Sequence, residues 1–269
     1  MITIVDICNA GLFAAIAITL VSPQIPGLRS VSRYGKTLKT VQRFNYYLPK
    51  RYFAHFYVIA TALPVFLSLL LLSDIPVVEY IASVDWVSRD HQRTLSRSKA
   101  LFALLLNSLQ GSRRLYESVH VFRPLPDAKI QLLHYLIGCV YYLIVDMQLV
   151  ACMDPLNNSP LPLLESSIFA LLFFVVYLDQ ARHHAHLSGL KKYTIPSQGL
   201  FRYVAGAHYF DEILLYALQF WYLRTETSLA VAAYVAVSLS VVAANSHEYY
   251  KEKDASYSVN HKVVIPFLY

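Results

Sequence analysis

Apolar residues gather along this chain in seven runs, at about 3–22, 53–72, 99–118, 131–152, 163–181, 209–224 and 228–246, with shorter polar stretches between them. A helix needs roughly 20 mostly apolar residues to cross a hydrocarbon core of about 30 Å. The pattern therefore predicts an all-α polytopic membrane protein with seven transmembrane helices. No stretch is long enough to be a linker between domains and no internal repeat appears, so residues 1–269 read as a single membrane-embedded domain. The longest polar connections, Pro23 to Tyr52 and Lys191 to Gly206, hold Pro or Gly and several aromatics, a composition suited to loops that fold over a ligand. Asp74 to Ser98 is mixed in charge, with an amphipathic piece from Val77 to Val87.

Composition agrees with the bilayer as solvent. Hydrophobic residues make up 56% of the chain and charged residues 15%, more apolar surface than a soluble core of this size hides. The basic residues then set an orientation. Eighteen of the 23 Lys and Arg fall after the first, third, fifth and seventh runs, and five (Arg89, Arg93, Arg97, Lys99 and Arg224) fall in the other loops. The positive-inside rule places the N-terminus in the lumen and the C-terminus in the cytosol. The net charge of +6 is thus mainly a topology signal, which also suits an anionic cofactor and argues against nucleic acid as a partner. The first apolar run lacks a basic lead and a small-residue cleavage site, and reads as a retained anchor. Cys8, Cys139 and Cys152 are scattered through apolar runs, a spacing that makes neither a disulfide framework nor a metal site.

Ionisable residues inside spans are costly, about 2.5–3.5 kcal/mol each on insertion scales, so their recurrence points to an internal cavity. Gln180, His184 and Lys191 are four and eleven residues apart, which on a continuous helix keeps them within about 40° of one another. The alternative for Lys191 and Lys192 is pairing with the negative end of a helix dipole. Arg113 and Arg114 both stand within reach of Glu117, at four and three residues. One salt bridge accounts for one arginine; two guanidiniums, with Arg123 beyond, suit a phosphate. Asp211 near the start of a span reads as an ordinary helix-dipole partner. His183-His184-Ala185-His186 has a superficial likeness to part of a di-iron site, but no second histidine box accompanies it, and no metal is expected. Gly-x-Gly-x-x-Gly and P-loop patterns are also missing, so a nucleotide would be held by side chains from several helices.

Several motifs occur in order: Arg33-Tyr34-Gly35-Lys36; Pro49-Lys50-Arg51-Tyr52-Phe53-Ala54-His55-Phe56-Tyr57; Arg113-Arg114-Leu115-Tyr116-Glu117-Ser118; His134-Tyr135 with Gly138 and Tyr141-Tyr142; Gln180 through His184 to Leu187 and Lys191; Ile195-Pro196 through Gly199-Leu200-Phe201 to His208-Tyr209 and Glu212. A tail from His247, Tyr249 and Tyr250 to Pro266 and Tyr269 closes the series. Together they resemble the steroid 5-alpha-reductase family over nearly the whole chain, and within it the polyprenol (polyprenal) reductase branch of dolichol synthesis. The resemblance implies a seven-helix bundle in the endoplasmic reticulum membrane that binds NADPH from the cytosolic side. It also implies that Tyr34, Lys36, Arg114, Arg123, Gln180, His184, Lys191, His208, Glu212, His247 and Tyr250 surround the cofactor, with Arg113 beside them. Steroid-reducing members carry a Gln-Glu pair where this chain has His55 and Phe56, and a tyrosine where it has Gly111, which favours a long-chain polyprenoid lipid over a steroid as substrate. Lys191 replaces an arginine, keeping charge without the bidentate fork.

Hydride addition to an alkene needs an electron sink, which an enal has and an allylic alcohol lacks. The expected reaction is thus 1,4-reduction of an alpha,beta-unsaturated polyprenal, with a hydrogen-bond donor for the carbonyl oxygen. His55 and Tyr57 are the candidates for that donor. The alternatives are reduction of a 3-oxo-4-ene steroid, reduction of a trans-2-enoyl thioester, and a non-catalytic scaffold that kept the fold.

Overall fold

Each apolar run becomes a helix because a chain in hydrocarbon must satisfy its backbone internally. The computed structural model describes residues 1–22, 24–25, 46–73, 75–122, 128–191, 194–254, 256–257 and 261–268. The helices are α1 (Ile4–Val21), α2 (Ala54–Leu72), the short α3 (Val77–Ser83), α4 (Arg97–Tyr116), α5 (Leu132–Ala151), α6 (Leu163–Gly189), α7 (Ala207–Leu223) and α8 (Glu226–Lys253). β1 (Tyr47–Pro49) and β2 (Lys129–Gln131) pair antiparallel, Tyr47 opposite Gln131, in front of α2 and α5. α3 falls inside the stretch expected to be amphipathic.

Three of the starts are set by side-chain caps. Thr3 and Asp6 form a capping box on α1, Ser96 accepts from the Lys99 N–H on α4, and Thr225 and Ser228 form a box on α8.

Among the described residues five helices are long and apolar enough to cross a membrane: α1, α2 with its preceding turn, α5, α6 and α8. The other two long helices fall short for a physical reason. α4 carries Arg97, Lys99, Arg113 and Arg114, and α7 is 17 residues long and includes Asp211, Glu212 and Gln219. Arg113, Arg114, Asp211, Glu212 and Gln219 turn inward, so part of the lost hydropathy belongs to the interior these helices line. Leu171, Leu172 and Val175 of α6 instead face outward, as in a lipid-facing surface.

α2 packs most extensively on α4. Gly111 of α4 makes the contact possible, since a Cβ there would lie 2.1 Å from the Ala60 carbonyl oxygen. Gly138 of α5 similarly admits the Phe56 ring. At the far end of the bundle Leu71, Leu104, Leu149 and Phe169 form the core, with Phe169 stacked on Tyr222 at 4.5 Å. The same end is latched by Asp6 with Arg89 and Gln92, and by Lys99 and Arg224 on Glu165.

Candidate functional site

Where α4 ends, a π-helical turn, Glu117–Val121, continues it and leaves Glu117 buried. Arg113 Nη1 donates to Glu117 Oε1 at 2.6 Å and Arg114 Nη1 to Oε2 at 2.5 Å. The sequence reading assigned the salt bridge one arginine; here a single carboxylate divides itself between two guanidiniums. Arg114 also donates through Nη2 to the Tyr57 hydroxyl at 2.6 Å, and its guanidinium stands 4.8 Å from that ring. From α6, His184 Nδ1 lies 2.6 Å from Arg114 Nη1 and 2.7 Å from Glu117 Oε2. A ring nitrogen cannot donate and accept at once, so protonated Nδ1 serves Glu117 and bare Nδ1 serves Arg114.

Arg113 extends the network. It donates to Gln110 at 2.9 Å and to Gln180, and lies 4.4 Å over the Tyr177 ring. Gln180 is buried, receives the Gln110 amide at 3.0 Å, and donates to Glu212 at 2.5 Å and to the His208 carbonyl at 3.3 Å. Four helices thus bring Tyr57, Arg113, Arg114, Gln180, His184, His208 and Glu212 to one end of the bundle.

Other expected site residues lie elsewhere. His55 is two positions from Tyr57, about 200° around α2; it is exposed, hydrogen-bonded to the Tyr135 hydroxyl at 2.9 Å and stacked on Tyr52. Lys191 does not share the face of Gln180 and His184, a correction to the expected spacing. α6 stops at Gly189 and Leu190 is extended, so the helical phase is lost before Lys191, which is exposed. Gly near the end favours this stop by its low helix propensity. His247 and Tyr250 engage the tail: His247 Nε2 is 3.1 Å from the His261 carbonyl, and the Tyr250 ring packs on Tyr257. Tyr34, Lys36 and Arg123 lie outside the described residues.

Two features were not anticipated. Asp211, read as a dipole partner, is buried and 2.6 Å from His183 Nδ1, while His183 Nε2 accepts from the Leu200 N–H at 3.3 Å. This fixes the ring with its proton on Nδ1 and ties α6, α7 and the connecting loop together. Gly199 is required there: its φ is +59° and a Cβ would meet the His183 ring at 2.7 Å. Asp179, His183 and Asp211 each offer an atom within 4.8 Å of the others, but both His183 nitrogens are taken by protein partners. His183 and Asp211 were each visible in sequence; that they pair across two helices was not.

The second feature is a cavity beside Arg114, between α2, α4, α5, α6 and α7. Tyr57, Arg114 and Glu212 line its outer part; Asn107, Asp146 and Gln219 line its inner part, with Phe169, Phe173 and Leu215 as apolar wall. Asn107 and Arg114 are seven residues apart on α4, so the two parts are separated by about 10 Å.

Residues 128–269 match the family described as 3-oxo-5-alpha-steroid 4-dehydrogenase. The chain is 30% identical over 237 residues to a polyprenal reductase of Saccharomyces cerevisiae, covering 88% of this chain and 80% of that protein. It is 30% identical over 269 residues to the polyprenal reductase of Xenopus tropicalis, covering 88% and 86%. With the polyprenal reductase of Danio rerio it shares 31% over 284 residues, covering 88% and 85%.

Proposed function

The chain belongs to the 3-oxo-5-alpha-steroid 4-dehydrogenase family, and we propose that it is a polyprenal reductase, saturating the alpha-isoprene double bond of a long-chain polyprenoid on the way to dolichol. Relatives of that name cover 88% of it at 30–31% identity, which supports this reading over the steroid alternative. We assign it a nicotinamide cofactor, NADPH, and residence in the endoplasmic reticulum membrane as one seven-helix domain with lumenal N-terminus and cytosolic C-terminus. Eighteen basic residues on one side against five on the other support that orientation.

The observation that carries the proposal is the Tyr57–Arg114–Glu117–His184 network at the mouth of an interior cavity. A nicotinamide dinucleotide combines anionic phosphates with a neutral carboxamide. The donor set fits both: Arg113 and Arg114 offer charge, the buried Arg113 Nε has no hydrogen-bond partner, and Glu212, which lines the cavity with one carboxylate oxygen taken by Gln180, offers an acceptor to an amide N–H. When bound, the cofactor supplies hydride. The chain's own contribution is a dry, preorganised set of dipoles. Arg114 holds Tyr57 against the cavity, and Glu117 and His184 in turn hold Arg114. The Tyr57 oxygen accepts from Arg114, which leaves the phenolic proton to be donated to the substrate. We therefore assign substrate hydrogen donation to Tyr57 and give His55, on the far face of α2, no part in it.

The test is NADPH oxidation by purified protein in lipid, offered polyprenal, polyprenol and a 3-oxo-4-ene steroid in parallel. Turnover with polyprenal alone is expected. Steroid turnover would move the assignment, and equal rates with polyprenol in the absence of any dehydrogenase would remove the aldehyde from the scheme.

A further inference from the structure

Asp146 sits in the second half of α5, more than one turn before its end, with 1% of its surface exposed, an acid inside a helix long and apolar enough to span a membrane. Such residues mark functional sites more often than structural ones, because hydrocarbon makes them expensive to keep. Its Oδ1 accepts from the Asn107 amide at 2.8 Å, and Asn107 in turn accepts from Gln219 at 2.9 Å. The chain of amides runs in one direction, from α7 through α4 to α5, and fixes the carboxyl. Its other oxygen, Oδ2, is buried without a hydrogen-bond partner. Among the described residues the cavity lining beside it has no cation, the only one being Arg114 about 10 Å along α4.

We propose, resting on the polyprenal reductase reading, that Asp146, positioned by Asn107 and Gln219, receives the carbonyl oxygen of the unsaturated aldehyde. The neutral acid carries its proton on Oδ2 and donates it as a hydrogen bond. Without a cation this inner pocket rejects phosphate and accepts a small neutral oxygen, while Phe169, Phe173 and Leu215 suit the first isoprene unit. The aldehyde then lies along the cavity, oxygen inward and alkene toward Tyr57. As hydride from the reduced nicotinamide bonds to the beta carbon, the alkene pair shifts toward the carbonyl and negative charge collects on the oxygen held by Asp146. The alpha carbon takes a proton relayed through a water from the Tyr57 hydroxyl, the carbonyl re-forms, and the phenolate beside Arg114 regains a proton from solvent. Asp146 keeps its own proton throughout. The nicotinamide carboxamide is the other neutral carbonyl in the system, and the experiment separates the two.

A two-isoprene alpha,beta-unsaturated aldehyde carrying a ¹³C carbonyl is bound to the protein in nanodiscs with oxidised nucleotide present, and its carbonyl stretch is followed by infrared difference spectroscopy. The stretch is expected at lower frequency in the wild type than in lipid alone, to lose that shift in Asp146→Leu, and to regain part of it in Asp146→Asn, whose amide also donates. Turnover should fall about 100-fold in Asp146→Leu, the usual loss for one oxyanion donor, and less in Asp146→Asn, with nucleotide affinity equal in all three. An unshifted band in the wild type, which needs no variant, overturns the proposal. So does a shift that survives Asp146→Leu, or weakened nucleotide binding with the aldehyde band unchanged. If the wild type turns over polyprenal and only these results fail, the inner pocket is misassigned and the reductase reading stands; if the wild type reduces no polyprenal, that reading itself is gone.

Discussion

Gly111→Ala should separate the two helices on which the site depends. The added Cβ would stand 2.1 Å from the Ala60 carbonyl oxygen, 2.5 Å from its carbon and 3.0 Å from the Thr61 nitrogen, all backbone atoms that no rotamer change can move. Carbon contacts are comfortable near 3.5–4.0 Å, so α2 and α4 must part by about 1 Å. Overpacking of this kind costs about 1–3 kcal/mol. At about 2–4 °C per kcal/mol, the melting temperature should fall by about 2–12 °C. Tyr57 lies one turn before Ala60 on the helix that moves, and its 2.6 Å bond to Arg114 cannot survive the shift unchanged. A displacement of about 1 Å typically costs about 100-fold in rate. Gly11→Ala in α1 is the matched control, because nothing lies within 4 Å of its Cβ position and the same change there should stabilise by about 0.4–1 kcal/mol. Both variants are melted in nanodiscs and assayed with polyprenal. Should Gly111→Ala melt and turn over like Gly11→Ala, the close α2–α4 contact is wrong.

Glu117→Gln removes the one carboxylate shared by Arg113 and Arg114, and breaking a buried pair costs about 3–5 kcal/mol, to be read as a loss of thermal stability. Arg114→Lys keeps the charge but cannot reach Tyr57, Glu117 and His184 together; NADPH affinity should weaken about tenfold, equivalent to about 1.4 kcal/mol, by titration calorimetry. An unchanged affinity would remove Arg114 from the cofactor site. His55→Phe should leave polyprenal turnover within about threefold of wild type, as for a surface change. A collapse of turnover with nucleotide binding intact would return His55 to the chemistry.

The helices were legible because each apolar run reads at the length of a span, and even α4 and α7 showed as runs. What hydropathy alone misses is that several of their polar residues face inward, which lowers their apolar score while marking them as walls of the site. Gln180 and His184 were grouped correctly by helical spacing, but extending the same arithmetic to Lys191 assumed a helix that ends at Gly189. His55 and Tyr57 share a motif and not a face, a distinction the 100° step already contains. Asp146 stands in the sequence as an acid within an apolar run; its partners Asn107 and Gln219 sit 39 residues before it and 73 after, beyond any local pattern. The His183–Asp211 pair escaped for the same reason.

Residues 262–263 come after every helix, yet they complete the loop that opens α7: Lys262 N–H donates to the Tyr203 carbonyl, and its own carbonyl and that of Val263 receive the Ala205 and Gly206 N–H groups. A chain is made from its N-terminus at about 5–20 residues per second. All the helices can therefore be in the bilayer while three backbone groups beside His208 still await partners. The end of the molecule that carries Arg114 and His184 is therefore finished only after α8 has left the ribosome, by a segment that belongs to no helix.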